Sequence, residues 1–446
     1  MAAPGTQLCW FVALLAGMLA GCATHADRMA PVESAVLDGD PARAVALLDA
    51  DPGGEGDRVV YLLNRGSLLR MAGDYEASNE ALEAAYAAMR EVDPLSVSEG
   101  VGSLMIGETV FAYAGEPHER VLLHLIKAFN YLDLDEPDAA RVEALRVDLS
   151  LQRLAAERGG SAYRRDPFAR YLSGLIFERL GEPDQALVAY RQAYQAYREL
   201  EDRLGVGVPL PLQQDLLRLA DALGLVDERM QWEREFALSV WPQQAEHRER
   251  AHIVVVVGAG LAPRKREQSL MMQDAQGRIH SVALPAYEPR KLALRGIQLT
   301  AGEEGRVAGQ QVHDIDAVAR ILLDEQQGRL AARALGRLLV QKEMIDQARE
   351  ADPLAGLAVN AFTLAADRAD TRHWAMLPAQ YHMARLSLPP GRYALRLSYR
   401  GAGGRRLGER ELGTVNLEAG AYRFFFDRWI SEQAGSLRQQ AREEIR

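Results

Sequence analysis

Apolar residues follow two different periods along the chain, and the change falls near residue 247. From residue 31 to residue 245 they recur at intervals of three and four, which is typical of helices that bury one face. From residue 246 to residue 428, β-branched runs and alternating apolar residues predict strands, most clearly in His252–Gly260. The pattern therefore predicts an α+β multidomain chain, with a helical N-terminal part and an α+β, β-sandwich-like C-terminal part.

Further strands are expected in the C-terminal part at 278–284, 291–299, 384–399 and 413–426, the last two each containing a turn. A mainly helical insert is predicted at about 314–367. The tail, 429–446, is rich in charged residues and is expected to be helical. The C-terminal part is therefore predicted as strands before and after a helical insert, followed by a short helix.

Turns within the helical part indicate a repeat. Gly39-Asp40 and Gly73-Asp74 lie 34 residues apart, which is the length of a tetratricopeptide unit. The segment 171–194 resembles that unit at Gly174, Phe177, Gly181, Ala186, Tyr190 and Ala193. Gly174 and Ala186 are small enough for two helices to approach closely, and Gly181 permits a tight turn. We therefore expect 31–245 to form a tetratricopeptide-like α-solenoid, although an unrelated antiparallel bundle would share this periodicity.

The first residues predict export and lipid attachment. Leu8 to Ala20 is apolar and uncharged but shorter than the roughly 20 residues of a membrane span, as in a signal peptide. Leu19-Ala20-Gly21-Cys22 resembles the lipobox of bacterial lipoproteins, although no lysine or arginine precedes Leu8. We expect cleavage after residue 21, lipid on Cys22 and an anchoring linker over 22–30. Ala23 resembles the residue found in lipoproteins that are sorted to the outer membrane.

Charge and motifs exclude several classes of function. Acidic residues dominate 1–245 and basic residues are scattered over 246–446, so nucleic acid is not an expected partner. The basic triplet 264–266 is expected to be a small loop that aids solubility. Gly258 and Gly260 follow a strand, but the third glycine of a dinucleotide-binding turn is missing. His313, Asp314 and Asp316 are too close in sequence to enclose a metal, and such a cluster usually caps a helix. No cofactor, metal site or catalytic residue is therefore predicted.

One irregular segment is the candidate binding site. Residues 96–125 separate two repeats. Their first half contains three glycines, at positions 100, 102 and 107, which disfavour a continuous helix. Loops held by a rigid scaffold often carry binding functions. The residues predicted to contact a partner are Tyr113, Glu116, Glu119 and Arg120. A solvated loop that binds nothing is the alternative.

Three further segments, 115–132, 260–267 and 370–391, resemble a family of uncharacterised bacterial lipoproteins with tetratricopeptide repeats. The resemblance spans most of the mature chain. It implies a location in the cell envelope and a non-enzymatic protein, but it supplies no activity. Residues 370–374 precede a strand and are expected to fasten the helical insert to the sheet.

These expectations combine into a hypothesis about function. The chain is expected to be a lipid-anchored scaffold or adaptor that faces the periplasm and binds other envelope proteins, with cell-wall assembly as one setting. Tetratricopeptide arrays offer a concave surface for such partners. The alternative is an envelope hydrolase that acts on glycan through two carboxylates of the C-terminal part.

Overall fold

The structure, a computed structural model, describes residues 24–92, 111–156, 163, 165–273, 279–303, 305–352, 368–431 and 435–436. Up to residue 249, the regular elements of the described part are helices. They are α1 His25–Leu37, α2 Pro41–Ala50, α3 Arg58–Ala72, α4 Tyr75–Glu91, α5 Pro117–Asp133, α6 Pro137–Ala156, α7 Pro167–Arg179, α8 Pro183–Leu204, α9 Leu210–Ala222, α10 Val226–Phe236 and α11 Gln244–Glu249, with a 3-10 turn at Glu55–Asp57.

Local sequence explains where these helices begin. The side chains of Asp40, Asp74 and Asp166 each accept a hydrogen bond from a backbone N–H in the first turn of the following helix. Such caps satisfy donors that the helix itself leaves unpaired. Proline stands at the first position of α5, α7 and α8, where its missing N–H costs nothing. Caps and prolines therefore divide the helical part into short, separate helices.

Successive helices pack as five hairpins: α1 with α2, α3 with α4, α5 with α6, α7 with α8, and α9 with α10. This pairing of successive helices confirms the prediction of a tetratricopeptide-like array. Glycine allows close packing within two hairpins, because a Cβ at Gly174 would lie 2.2 Å from the Tyr190 ring and one at Gly66 would lie 2.6 Å from Leu82. The side chain opposite Gly174 is thus Tyr190 of α8. Ala186, which is also on α8, is buried nearby.

Strands dominate the described chain after residue 250. They are β1 Ala251–Ala259, β2 Arg264–Gln273, β3 Ile279–Glu288, β4 Gly296–Ala301, β5 Gly305–Ala308, β6 Gln310–Asp314, β7 Gln380–Leu388, β8 Gly391–Arg400, β9 Arg406–Leu417, β10 Tyr422–Ser431 and β11 Gly435–Ser436, with helix α12 Ile315–Ala351 after β6 and a 3-10 turn at Ala402–Gly404. The first sheet has the order β11-β10-β1-β7-β6, the second has the order β5-β4-β8-β9, and β2 pairs with β3. Within the first sheet, β1 and β10 run parallel.

The first sheet is buried on both faces, as its central strand shows. Val254 and Val256 of β1 belong to an apolar cluster that includes the helices of the array. Ile253, Val255 and Val257, which point the other way, pack with residues of the second sheet. The chain therefore has three layers, with the first sheet between the helices and the second sheet. The continuous β-branched run at 253–257 reflects this double burial.

The first helix of every hairpin contacts the strand-containing part. Each contact joins one helix to it: Glu33 of α1 to Arg290, Asn64 of α3 to Met376, Phe129 of α5 to Phe426, Tyr171 of α7 to Arg385, and Asp215 of α9 to Arg385. The side of the array formed by these helices is therefore occupied by the chain itself. It does not provide the open groove that we expected for a partner.

Two predictions of secondary structure need correction. The tail was expected to be helical from residue 429, but β10 continues to Ser431 and β11 follows at Gly435–Ser436. Alternating burial in β10 explains this, because Trp429 packs between the two sheets while Ile430 faces the helices. The basic triplet 264–266 was interpreted as a solubilising loop, yet it begins strand β2. Residues 437–446 lie outside the described part of the chain.

Candidate functional site

The four residues predicted to bind a partner lie at the junction between the helical array and the strand-containing part. Tyr113 is 6 % exposed and Glu119 is 1 % exposed. The Tyr113 hydroxyl donates to Glu119 Oε2 at 2.6 Å, and the backbone N–H of Trp374 donates to Glu119 Oε1 at 2.6 Å. Lys265 of β2 donates to Glu116 at 2.6 Å. The prediction that these side chains present a surface to a partner is therefore wrong for Tyr113 and Glu119, which are buried within the chain.

Electrostatics agrees with this structural role. Burial raises the pKa of Glu119 to about 7, and the neighbouring Glu116 carboxylate adds to the effect. Burial also disfavours the charged form of Glu116, but the Lys265 ammonium outweighs it and lowers the pKa of that carboxyl. Arg120 Nε donates to the Gly115 carbonyl oxygen at 3.1 Å. These contacts fix the start of α5 and attach it to β2 and to the Trp374 segment.

Residues 370–374 fasten the strand-containing part to the array, whereas we expected them to fasten the helical insert to the sheet. The Arg372 guanidinium donates to the carbonyl oxygens of Gly56 at 3.1 Å and Phe111 at 2.9 Å. The Trp374 indole N–H donates to Ser67 of α3 at 2.8 Å. This segment lies against α3 and α5 and helps to close the inner side of the array.

Other sequence candidates have simple structural roles or lie outside the described residues. Cys22 belongs to the second group, so its lipid attachment stays a prediction. Asp314 caps α12 by accepting from the Ala317 N–H at 2.8 Å, which confirms the interpretation of that cluster as a helix cap. In the described ranges, no helix is both long and apolar enough to span a membrane. The same ranges contain no group of three His, Cys, Asp or Glu residues placed to hold a metal.

The buried carboxylates of the strand-containing part bear on the hydrolase alternative. Asp370 accepts from Arg372 at 2.7 Å. Asp427 accepts from Arg410 and from the Tyr399 hydroxyl. Each of these two acids is thus held by its own arginine within the fold.

An open cleft of about 580 Å³ lies between the array and the edges of the two sheets. Ligand sites of this size are common in proteins. The helical wall is formed by the start of α4 and by the ends of α5 and α7. The sheet wall is formed by the second half of β9 and the first half of β10. The lining residues used below are Asp133, Asp135, Arg179, Leu412, Thr414, Val415, Arg423 and Phe425.

Two strand edges meet at this cleft. β9 is the outer strand of the second sheet, where it pairs only with β8 among the described strands. β10 pairs with β11 only near Trp429 and Ser431, so its residues from Tyr422 to Arg428 have no described strand on that side. Exposed edges present backbone N–H and C=O groups that can pair with another chain. The cleft therefore combines two such edges with a fixed helical wall.

The cleft contains both apolar and charged groups. Leu412, Val415 and Phe425 are half-buried, and Thr414 is exposed. Arg179 of the helical wall is paired with Asp135 at 2.6 Å. Among the described residues, the exposed Arg423 guanidinium has neither an ion-pair nor a hydrogen-bond partner. This combination suits an extended peptide that carries an apolar side chain and a carboxylate.

Asp133, deep in the cleft, accepts from Arg70 NH2 at 2.9 Å. Burial raises the pKa of this carboxyl to about 6, although the Arg70 charge acts in the opposite direction. A bulge at Leu412-Gly413 interrupts the register between β8 and β9 at this point. Bulges redirect side chains at sheet edges, and Leu412 is one of the residues that line the cleft.

Sequence reasoning did not identify this cleft. It predicted strands that overlap β9 and β10, but their alternation does not reveal which strands lie at sheet edges or which helix ends face them. In the sequence, a glycine within the predicted strand run, Gly413, is a local signal of an irregular edge. In the structure this glycine lies in the bulge and has a φ of +93°.

Comparison with known proteins identifies no family. No protein-family model matches the chain, and no curated protein matches it in sequence. The crystal structure of MamA is 18% identical over 48% of this chain and 93% of its own, with a TM-score of 0.29. A kinesin light chain from Podosopora anserina with nearly identical tetratricopeptide-like repeats is 15% identical over 47% and 92%, with a TM-score of 0.30. A tetratricopeptide repeat protein from Parabacteroides merdae is 13% identical over 48% and 67%, also with a TM-score of 0.30. Scores this low establish neither a family nor a function.

Proposed function

We propose that this protein is a lipid-anchored scaffold of the bacterial cell envelope, without catalytic activity, that binds an extended segment of a partner protein. The observation that carries the proposal is the contrast between two surfaces. The inner side of the array is filled by the chain's own sheet, whereas the 580 Å³ cleft beside β9 and β10 is open. The binding site is thus assigned to the cleft.

The chemistry of the cleft specifies the partner segment. An added strand would use main-chain hydrogen bonds for affinity and side-chain contacts for specificity. Phe425, Leu412 and Val415 offer apolar contacts to one side chain of the segment. Arg423 offers a planar, permanently charged group to a carboxylate. The partner is therefore proposed to contribute an extended segment with an apolar residue near an Asp or Glu.

Site-specific photocrosslinking tests this assignment. A photoreactive residue replacing Thr414, which is exposed in the cleft, is expected to capture a defined partner in intact cells. The same residue at Gln195, exposed on α8, is the matched position elsewhere on the protein. Arg423→Glu should lower the Thr414 crosslink at least tenfold, because a repulsive charge replaces an attractive one. Arg392→Glu, an exposed charge reversal on β8 outside the cleft, should leave it unchanged.

The outcomes separate the cleft from other surfaces. Equal capture of the same protein from positions 414 and 195, or capture that survives Arg423→Glu, would assign binding to another surface. Mass spectrometry of the crosslinked peptide gives a second readout. A crosslinked peptide without an Asp or Glu beside an apolar residue would contradict the proposed chemistry.

The anchoring part of the proposal has its own test. Cys22→Ser removes the thiol that would carry the lipid, so we expect the variant protein to be soluble in the periplasm or to stay unprocessed. Membrane fractionation after a high-salt wash and the intact mass of the mature protein are the measurements. A Cys22→Ser protein that is processed normally and remains in the membrane fraction would show that the chain is not anchored through this residue.

A further inference from the structure

One row of the first sheet combines an arginine, a glycine and a tyrosine. The register places Gly258 of β1 opposite Arg428 of β10 on one side and opposite Tyr381 of β7 on the other. Their neighbours on the same face, Val256 and Phe426, pack against the helices. Arg428 thus occupies an otherwise apolar row. Because Gly258 has no side chain, the row has a gap between Arg428 and Tyr381.

A cavity of about 60 Å³ lies above this gap. A volume of this kind holds roughly four to six water-sized groups. The sheet forms its floor, α3 and α5 form its roof, and Met376 and Pro378 close one side. Its walls are largely apolar, with Met71, Ile126 and Phe129 facing Phe426. The helical roof and the sheet floor belong to the two halves of the chain.

Charge is unbalanced at this cavity. The other charged residues of the lining are paired elsewhere, Arg70 with Asp133 and Asn130, and Asp427 with Arg410. Arg428 donates from NH2 to the Met376 carbonyl oxygen at 3.3 Å, but its Nε and NH1 are buried and have no hydrogen-bond partner among the described residues. Burial lowers the pKa of Arg428 to about 10. A buried guanidinium with unused donors is costly unless a counter-ion compensates it.

We propose that this cavity binds a small monocarboxylate, with its carboxylate on Arg428 and its short apolar body against Met71, Ile126 and Phe129. Ordered water alone would satisfy the N–H donors but would leave the positive charge uncompensated. A divalent phosphate would bring two negative charges to a site that offers one unpaired positive charge. The volume limits the ligand to about four to six non-hydrogen atoms, which matches propionate.

Gly258 is part of the same site. A Cβ at this position would lie 3.1 Å from Arg428 NH1 and 3.2 Å from Pro378 Cβ. Contacts this short leave no room for a side chain without displacement of the guanidinium or the proline. Glycine therefore lets the Arg428 guanidinium and Pro378 lie close to the β1 backbone, where both line the cavity.

Calorimetric titration of the purified mature protein with propionate, and separately with propionamide, tests the proposal. The two probes have nearly the same shape, but only propionate is charged. We expect saturable 1:1 binding of propionate at least tenfold tighter than that of propionamide. Arg428→Met should weaken propionate binding at least tenfold, while Arg392→Met, an exposed arginine of β8, should bind like the parent protein.

The ligand-free variant supplies an independent readout. Replacement of an unpaired buried charge by an apolar side chain of similar length is neutral or stabilising, so Arg428→Met should melt no lower than the parent in propionate-free buffer. If Arg428→Met does not fold, the propionate-to-propionamide ratio of the parent decides. Absence of saturable propionate binding, or equal affinity for both probes, would overturn the carboxylate site. Neither result bears on the strand-edge cleft, which is tested by crosslinking.

Discussion

Acidification from pH 7.5 to pH 5 is expected to lower the free energy of unfolding by about 6 kcal/mol, because the buried histidines accept protons far less readily in the folded protein than in the unfolded chain. Burial lowers the pKa of seven described histidines. For five of them the pKa falls to about 4 (His25, His118, His252 and His382) or to about 2 (His247), and His124 and His373 are the other two. In the unfolded chain the same imidazoles titrate near pH 6.5. Between pH 6.5 and pH 4 the unfolded state therefore binds more protons, and the free energy of unfolding falls as the pH falls.

The expected size is large. One histidine that titrates only in the unfolded state removes about 1.4 kcal/mol per pH unit, so five remove about 7 kcal/mol per pH unit. Glu119 and Asp133 act in the opposite direction, because their raised pKa values of about 7 and about 6 let the folded state bind protons first. The stabilisation from these two carboxyl groups on acidification offsets the destabilisation from two of the five histidines. A net loss of about 4 kcal/mol per pH unit would exhaust a stability of 5–15 kcal/mol within a few pH units.

Thermal melts followed by circular dichroism at half-unit pH intervals measure this effect. His382→Leu is the sharpest variant, because both ring nitrogens of His382 are buried without a hydrogen-bond partner among the described residues. Removal of one titrating imidazole should reduce the slope of unfolding free energy against pH by about 1.4 kcal/mol per unit. A melting temperature that stays constant from pH 7.5 to pH 5 would show that these histidines are protonated in the folded protein.

Periodicity was sufficient to predict much of the fold. Spacings of three and four predicted the helical array, and the runs at 252–260, 384–399 and 413–426 predicted strands that overlap β1 and β7 to β10. These signals are local, since each residue's face follows from its own helix or strand. Strand order and pairing are not local. The parallel pairing of β1 with β10 joins residues about 170 positions apart, and alternation within either strand does not specify its neighbour.

Burial of charged residues was the least predictable feature. Arg264 and Lys265 were interpreted as part of an exposed basic loop, but their partners Glu33 and Glu116 come from the helical half. Tyr113 and Glu119 were interpreted as an exposed binding surface, but the Trp374 segment covers them. A charged residue is normally buried only with a partner. When that partner lies more than a hundred residues away, the sequence near the residue cannot reveal it.

The same limit applies to the two sites proposed above. Arg428 lies two residues beyond the predicted strand run 413–426, and Gly258 lies in the predicted strand 252–260, where the sequence suggested only an incomplete nucleotide-binding turn. Their juxtaposition depends on the pairing of β1 with β10. The cleft depends on which strands are at the edge. Both sites therefore arise from long-range pairing and not from a motif.

Asp215→Ala is expected to cost about 3–5 kcal/mol of stability, because it leaves the buried Arg385 without its carboxylate, whereas Arg218 keeps Glu178 at 2.7 Å. Asp215 lies on α9 and accepts from Arg385 of β7 in addition to Arg218 at 3.0 Å. Arg218 is 1% exposed, and Arg385 also donates to the Tyr171 hydroxyl oxygen at 2.6 Å. Both arginine charges lower the pKa of Asp215 against the effect of burial, so the carboxylate is ionised at neutral pH. The change should weaken the attachment of the array to the first sheet.

Urea unfolding monitored by far-UV circular dichroism and by tryptophan fluorescence measures this loss. Glu199→Ala is the matched control, because it removes a carboxylate from an exposed ion pair with Arg165 and should cost under about 1 kcal/mol.

Adding Arg385→Met to Asp215→Ala should restore part of the stability, since one unpaired buried charge is then removed. If Asp215→Ala is no more destabilising than Glu199→Ala, water or another group compensates Arg385, and this ion pair does not hold the helices to the sheet. If the double variant is less stable than Asp215→Ala alone, Arg385 contributes mainly through its contact with Tyr171, and the attachment depends on that contact instead.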